Sequence, residues 1–139
     1  MPHSSILRAY FSSVDAVATV KFEEALKKIS YYADTNNHLG ILYFEQKDFH
    51  KAEEKIKKAL TLRPKDGEIY FNLGNLFKEH NSLIKTEKTF RHALKIAPES
   101  PNLHNGLGTV FWAQDKQADA EKEFQKTMEP FLSLWFGTS

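Results

Sequence analysis

The chain has 139 residues, which suits a single domain, and its formal net charge of +1 provides no bulk attraction to nucleic acid. It contains no cysteine, which excludes disulfides, a thiol nucleophile and a thiolate metal site, and which fits a reducing compartment. We therefore expect a cytoplasmic protein that does not bind nucleic acid.

Residues 1–32 predict a degenerate leading unit or a capping helix. Residues 14–32 carry apolar side chains at helical spacing and are expected to form one helix. Residues 3–13 predict a shorter helix before it, and the alternative is a frayed arm without fixed structure. The same stretch contains Arg8, several serines and no acidic residue, so an organelle transit segment is a third interpretation.

Three Leu-Gly dipeptides recur at a spacing of 34 residues in the rest of the chain. They are Leu39-Gly40, Leu73-Gly74 and Leu107-Gly108. Other positions repeat with the same period, namely Tyr43, Phe77 and Phe111, then Ala52, Thr86 and Ala120, then Ile56, Phe90 and Phe124. A period of this length is typical of stacked helix–turn–helix units. Such arrays form binding surfaces more often than catalytic sites.

Each unit is expected to contain two helices joined by a short turn. In the first unit these helices span about residues 34–46 and 50–62. The glycine of each Leu-Gly pair lies inside a helix, where it costs roughly 1 kcal/mol relative to alanine. Its recurrence therefore predicts that the second helix of the unit packs closely against it. Pro64 and Pro98 indicate where the second helices of the first two units end.

These residues resemble the pattern of the tetratricopeptide repeat family, in which Leu-Gly, aromatic and small residues, Ala and Pro recur at fixed offsets. The resemblance covers three units, at residues 33–66, 67–100 and 101–134. It implies an all-α protein, a right-handed superhelical solenoid of antiparallel helix–turn–helix repeats. The positions that depart from the pattern include Thr86, Thr127 and Leu132.

The end of the chain, residues 129–139, is apolar and almost uncharged, and residues 135–139 form a tail beyond the third unit. This segment is too short to span a membrane, which takes about 20 apolar residues. Three interpretations are open. The tail folds back over the third unit, it pairs with another chain, or it is the cut end of a longer array. We expect the first.

The sequence contains no catalytic constellation, so we expect neither an enzyme nor a bound metal or cofactor. The six histidines form no paired motif, and there is no glycine-rich phosphate loop. A lone histidine on a repeat is most often polar surface. The second helices of the first two units are rich in Lys and Arg, which is usually a solvated face with local ion pairs. A patch for acidic partners or RNA is the alternative, ranked low because no aromatic stacking platform accompanies it.

In tetratricopeptide repeats the first helices line a concave groove, and the resemblance places ten residues of this chain along it. They are Asn37, Ile41, Phe44, Phe71, Asn72, Asn75, Lys78, Asn105, Thr109 and Trp112. The rings are suited to anchor a partner through buried area, and the amides to pair with a peptide backbone. Some of the rings are expected instead to pack against neighbouring repeats. The predicted ligand is a short peptide or a partner helix with apolar anchors.

One subgroup of the family binds acidic chaperone tails through Lys, Arg and Asn side chains in this groove. The matching positions here are Asn37, Ile41, Asn72, Asn102 and Gly106. Only Asn72 agrees with the subgroup, so a carboxylate tail finds little compensating charge. We therefore do not expect this chain to bind chaperone C-terminal tails in that mode.

The predicted function is that of a protein–protein interaction module, an adaptor or scaffold that holds a peptide or partner helix. One alternative is a self-assembling homo-oligomer that stacks through the apolar chain ends, residues 6–11 and 131–136. The other alternative is the targeting repeat region of a larger enzyme.

Overall fold

The computed structural model of the chain describes the backbone of residues 2–136 and the side-chain surroundings of residues 5–131, 134 and 135. Within that range the chain forms six α-helices and no strand. The helices are α1 (Pro2–Glu45), α2 (Phe49–Leu62), α3 (Gly67–Glu79), α4 (Leu83–Ile96), α5 (Pro101–Ala113) and α6 (Gln117–Phe136). They pack in sequence as three hairpins, α1 with α2, α3 with α4 and α5 with α6. The prediction of an all-α helical repeat solenoid is confirmed.

The turn inside each hairpin has the same backbone geometry, although its residues differ. Lys47, Asn81 and Asp115 lie 34 residues apart and have φ angles of 62°, 60° and 61°. This left-handed conformation ends the first helix of each hairpin. The backbone N–H of the next residue then bonds back to the helix, as in Asp48 N–H to the Tyr43 carbonyl at 2.9 Å. The turn therefore repeats as strictly as the helices do.

Side chains cap the two helices that follow the loops between hairpins. The Asp66 carboxylate accepts hydrogen bonds from the backbone N–H groups of Glu68 and Ile69 at the start of α3. Ser100 accepts one from the Leu103 N–H at the start of α5, whose first residue is Pro101. Proline suits this position because the first helical N–H has no partner within the helix.

The recurring glycines mark the closest approach of the two helices in each hairpin. A Cβ atom at Gly40 would lie 2.5 Å from Ile56 Cγ1, and one at Gly108 would lie 2.6 Å from Phe124 Cε1. Gly74 has the same relationship to the ring of Phe90. The prediction of close packing at these positions is confirmed, because the second helix occupies the space that a side chain would need.

The N-terminal segment differs from the expected pair of helices. α1 is one continuous helix of 44 residues that includes the first helix of the first hairpin. Neither proline nor glycine occurs between Pro2 and Gly40, so nothing in the sequence breaks the helix. α2 covers only its C-terminal part, with Ile56 beside Gly40 and Arg63 bound to Ser30 and Asp34. Residues 5–29 are exposed.

The C-terminal segment also differs from the expectation that it folds back over the third unit. α6 continues through Pro130 to Phe136 without reversing direction. Phe131, Leu134 and Trp135 are exposed, the last two at 82%. Residues 137–139 of the predicted tail lie outside the described residues. None of the helices described combines the length and hydropathy of a membrane span.

Candidate functional site

The ten predicted site residues lie on the C-terminal part of α1, on α3 and on α5, the first helices of the three hairpins. α3 contacts both α1 and α5, so these helices are neighbours and share one surface. We call the surface formed by residues 37–44, 71–78 and 105–112 the first-helix surface. Seven of the ten predicted residues line three cavities along it, and the other three, Asn37, Lys78 and Asn105, line none of these.

The first cavity lies between α1 and α3 and holds four of the predicted residues. It has a volume of about 220 Å³ and is lined by Ile41, Phe44, Glu45, Ile56, Asn72 and Asn75. Ile56 belongs to the buried core below. The Phe44 ring meets Phe49 edge to face, with the ring centroids 6.0 Å apart. We call this space the α1–α3 cavity. It combines an apolar interior with two carboxamides and one carboxylate at its edge.

A hydrogen bond between two of the predicted asparagines joins the first and second hairpins beside this cavity. Asn72 Nδ2 donates to Asn37 Oδ1 at 3.1 Å. Each carboxamide has two N–H donors and one acceptor oxygen, so the pair keeps donors and an acceptor for another molecule. The bond holds the two amides in a fixed relationship.

Phe71 lies in a second cavity, between α3 and the start of α5. Its ring stacks on Phe90 with a centroid distance of 5.9 Å and an interplanar angle of 26°. The cavity measures about 300 Å³ and also includes Glu68, Ser100 and Asn102. Phe71 is half-buried and packs on the core that α4 shares with α5 and α6. Part of the Phe71 ring is therefore used in packing between helices. Less of the ring is exposed to a partner than the predicted role of an anchor assumes.

Trp112 and Thr109 lie in a third cavity of about 320 Å³, on α5, with Phe124 of α6. Trp112 is 61% exposed, so its ring is accessible to a partner. The Thr109 hydroxyl donates to the Asn105 carbonyl within the helix at 2.9 Å. Asn105 is exposed beside it, and Lys78 is exposed in the last turn of α3, where a cation is favourable for the helix dipole.

His104 is buried and paired, contrary to the expectation of a polar surface residue. It is 8% exposed. Its Nδ1 lies 2.7 Å from Glu123 Oε2, and its Nε2 lies 2.6 Å from the Pro98 carbonyl oxygen. Both partner atoms are hydrogen-bond acceptors. The signal in the sequence was the repeat position itself, where the family pattern expects a large buried residue.

A basic cavity of about 660 Å³ lies next to this pair, between α4 and α6. Its cationic residues are Lys88, Arg91, Lys95 and Lys126. Glu123 is the one carboxylate that lines it. It neutralises part of this charge, because its side chain lies within 4.0 Å of both His104 and Lys126. Of the two basic second helices noted in the sequence, only α4 contributes to this cavity, which lies on a different side of α5 from Trp112.

The part of the chain that the structure describes contains no group of three or more His, Asp or Glu residues that could hold a metal ion. The titratable residues that line the three cavities of the first-helix surface, Glu45 and Glu68, are exposed. The arrangement supplies hydrogen-bonding amides and apolar contact area, which are the means of binding a polypeptide.

The sequence matches models of the tetratricopeptide repeat over residues 33–66 and again over residues 67–100. The chain belongs to the tetratricopeptide repeat family. No curated protein matches the sequence at a significant level.

Several solved structures share the fold, two tetratricopeptide repeat domains of Spaghetti (RPAP3) among them. The first such domain of Spaghetti (RPAP3), solved with an HSP90 peptide, has a TM-score of 0.67 at 18% identity, over 72% of this chain and 79% of that one. The N-terminal domain of stress-induced protein-1 from C. elegans has a TM-score of 0.67 at 22% identity, over 74% and 87%. MamA has a TM-score of 0.66 at 21% identity, over 76% of this chain and 64% of its own.

Proposed function

We propose that this chain is a protein–protein interaction module, a cytoplasmic adaptor that binds a peptide or a partner helix on its first-helix surface and catalyses no reaction. The observation that carries the proposal is the α1–α3 cavity. An apolar side chain of a ligand would contact Ile41 and Phe44, while its backbone would pair with Asn72 and Asn75. Apolar anchoring with amide pairing is a common mode of peptide recognition.

The exposed ring of Trp112 supports a second anchor point on the same surface. Trp112 lies on α5, on the other side of α3 from α1, so a ligand that uses both Trp112 and the α1–α3 cavity must cross α3. Phe71 is less available, because it stacks on Phe90. The ligand proposed here therefore has two apolar anchors separated by a polar or small segment.

We propose further that the ligand is not an acidic chaperone tail, although Spaghetti domains of this fold have been solved with such an HSP90 peptide. The α1–α3 cavity carries the carboxylate of Glu45 and no cation. Among the positions that match the chaperone-binding subgroup, Ile41 and Gly106 offer no charge, and Asn72 already bonds to Asn37. A terminal carboxylate is held most strongly by cationic partners, and no cation lines the α1–α3 cavity.

The proposal is tested by selecting peptides from a random 12-residue library against the wild-type chain and measuring their affinity for two matched variants. Ile41→Glu puts a carboxylate into the α1–α3 cavity. Leu42→Glu makes the same change at the next position, which is exposed and does not line that cavity. We expect at least a tenfold loss of affinity for Ile41→Glu and less than a twofold change for Leu42→Glu. Equal affinities for the two variants would contradict the proposal.

Assembly of like chains is a second candidate function, favoured by one specific observation. Large apolar side chains are exposed along the uncovered part of α1 and at the end of α6. Large exposed apolar patches mark interfaces in soluble proteins. The targeting region of a larger enzyme has no comparable observation in its favour.

A further inference from the structure

The uncovered part of α1 carries one continuous apolar stripe with a symmetric spacing. Six apolar residues lie evenly about Ala18: Leu7, Phe11 and Val14 on one side, and Phe22, Ala25 and Ile29 on the other. The steps between them, starting from Leu7, are 4, 3, 4, 4, 3 and 4 residues. At 3.6 residues per turn these positions fall on one face of the helix. We call this face the α1 stripe.

The α1 stripe lies on the same face of the helix that α2 covers further along. Phe22 and Gly40 are 18 residues apart, which is about five full turns, so they lie on one line along α1. Gly40 is the point where Ile56 of α2 comes closest to α1. Arg63, which follows α2, bonds to Ser30 and Asp34, so the cover from α2 ends there. Within the described residues, nothing packs on the stripe.

The side chains of the stripe expose large apolar areas to water, which is energetically unfavourable. Phe11 is 59% exposed and Phe22 is 66% exposed. Covering these rings in two copies of the chain would remove roughly 400–600 Å² of apolar surface from water. That is about a third of the ~1,600 Å² that a standard interface buries in total, and five aliphatic side chains per copy add to it.

We propose that a second copy of this chain covers the stripe, with the two α1 helices antiparallel and the two-fold axis at Ala18. In this register Leu7 meets Ile29 of the second copy, and Phe11 meets Ala25. The large ring of Phe11 thus lies against a small side chain, as close packing of two helices requires. A spacing that is symmetric about one residue is what a self-complementary, two-fold interface needs.

The direction of pairing follows from the position of α2. A parallel pair in register would run residues 33–45 of the second copy along the face of α1 that α2 already occupies. In the antiparallel pair, the second copy's helix begins opposite residue 34, where the cover from α2 ends. The stripe is about 33 Å long. Two copies of the chain can therefore cover each other's stripe while the three hairpins of each copy remain free at opposite ends.

The absence of cysteine from the natural sequence makes single-cysteine crosslinking a direct test. Ala18→Cys places two thiols at the two-fold axis, and mild oxidation should join most of the chains into a covalent dimer. Ala16→Cys is the matched control, because it is exposed on the opposite face of the same helix. A mixture of Leu7→Cys and Ile29→Cys chains should crosslink to each other, while Leu7→Cys alone should not.

Solution mass gives an independent readout. We expect light scattering to report twice the 16.0 kDa of one chain at micromolar concentration. Phe22→Glu should raise the dissociation constant at least 100-fold, and Tyr31→Glu, on the opposite face of α1, should leave it within twofold. A 16.0 kDa mass at all concentrations, or crosslinking of Leu7→Cys to itself, would overturn the proposal. So would a mass that keeps growing with concentration, which indicates head-to-tail stacking.

This inference specifies the second candidate function, and it is independent of the peptide site. The α1 stripe and the α1–α3 cavity share no residue. A monomeric variant such as Phe22→Glu should still bind the selected peptides, and Ile41→Glu should still dimerise. Failure of one proposal is therefore distinguishable from failure of the other.

Discussion

Asn72 of α3 donates a hydrogen bond from Nδ2 to Oδ1 of Asn37 on α1, at 3.1 Å. The two residues are 35 positions apart, so this bond links the first helices of successive hairpins through their side chains. It lies beside the α1–α3 cavity and orients the Asn72 amide, one of the two that we propose to meet a peptide backbone.

Removing this bond should lower the free energy of unfolding, and the losses caused by changing Asn37 and Asn72 should not be additive. Asn72→Ala should lower the free energy of unfolding by about 0.5–1.5 kcal/mol, the usual net contribution of one hydrogen bond. Urea denaturation of Asn37→Ala, Asn72→Ala and the double variant measures the coupling between them. We expect the double variant to lose less than the sum of the single losses. Strict additivity would show that the two amides act separately.

His104 should be the histidine whose removal is most damaging among those tested. His104→Ala deletes a buried ring and leaves Glu123 and the Pro98 carbonyl without their partner, so we expect a loss of about 2–4 kcal/mol. His50→Ala, at an exposed position of α2, should change the free energy of unfolding by less than about 0.5 kcal/mol. Chemical denaturation of the two variants gives the comparison. Similar stability of both would mean that the His104 contacts contribute little.

Gly74 should not tolerate alanine while Phe90 is present. A Cβ atom there meets the Phe90 ring, and overpacking of this kind costs about 1–3 kcal/mol. That exceeds the gain of roughly 1 kcal/mol in helix propensity when alanine replaces glycine. Phe90→Leu should relieve the clash, so Gly74→Ala should be less harmful in that background. Thermal unfolding of the four chains tests this, and an equal loss in both backgrounds would contradict it.

The repeats should fold without the exposed part of α1. Residues 5–28 are exposed, and deleting residues 2–28 leaves Arg63 bound to Ser30 and Asp34. At concentrations where the full chain is monomeric, we expect the free energy of unfolding to change by less than about 0.5 kcal/mol. A larger loss, measured by urea denaturation, would show that this segment packs on the repeats.

The sequence predicted the periodic parts of the molecule because one residue type carries one physical role at each repeat. Gly40 and Gly108 have no room for a side chain, and this requirement is visible as a recurring glycine. The segments outside the repeats were harder to predict. Residues 2–32 form a good helix whether or not a turn follows, so helical spacing alone could not show that α1 runs on without a break.

The site was predictable as a surface and less so as a set of contacts. The repeat period places Ile41, Asn72 and Asn75 on first helices, and the structure gathers them at one cavity. The period does not reveal that Phe71 stacks on Phe90, since that contact depends on the rotamers of two side chains on neighbouring helices of one hairpin. His104 was misjudged because a polar residue at a core position is buried only when partners such as Glu123 are within reach.

The central claim is that the first-helix surface binds a peptide, and the most direct measurement is an NMR titration of the 15N-labelled chain with a peptide selected from the random library. We expect the side-chain amide signals of Asn72 and Asn75, the backbone signals of Ile41 and Phe44, and the indole signal of Trp112 to shift together and saturate. Shifts confined to α2, α4 and α6, or to residues 7–29 of α1, with the first-helix surface unchanged, would contradict the account.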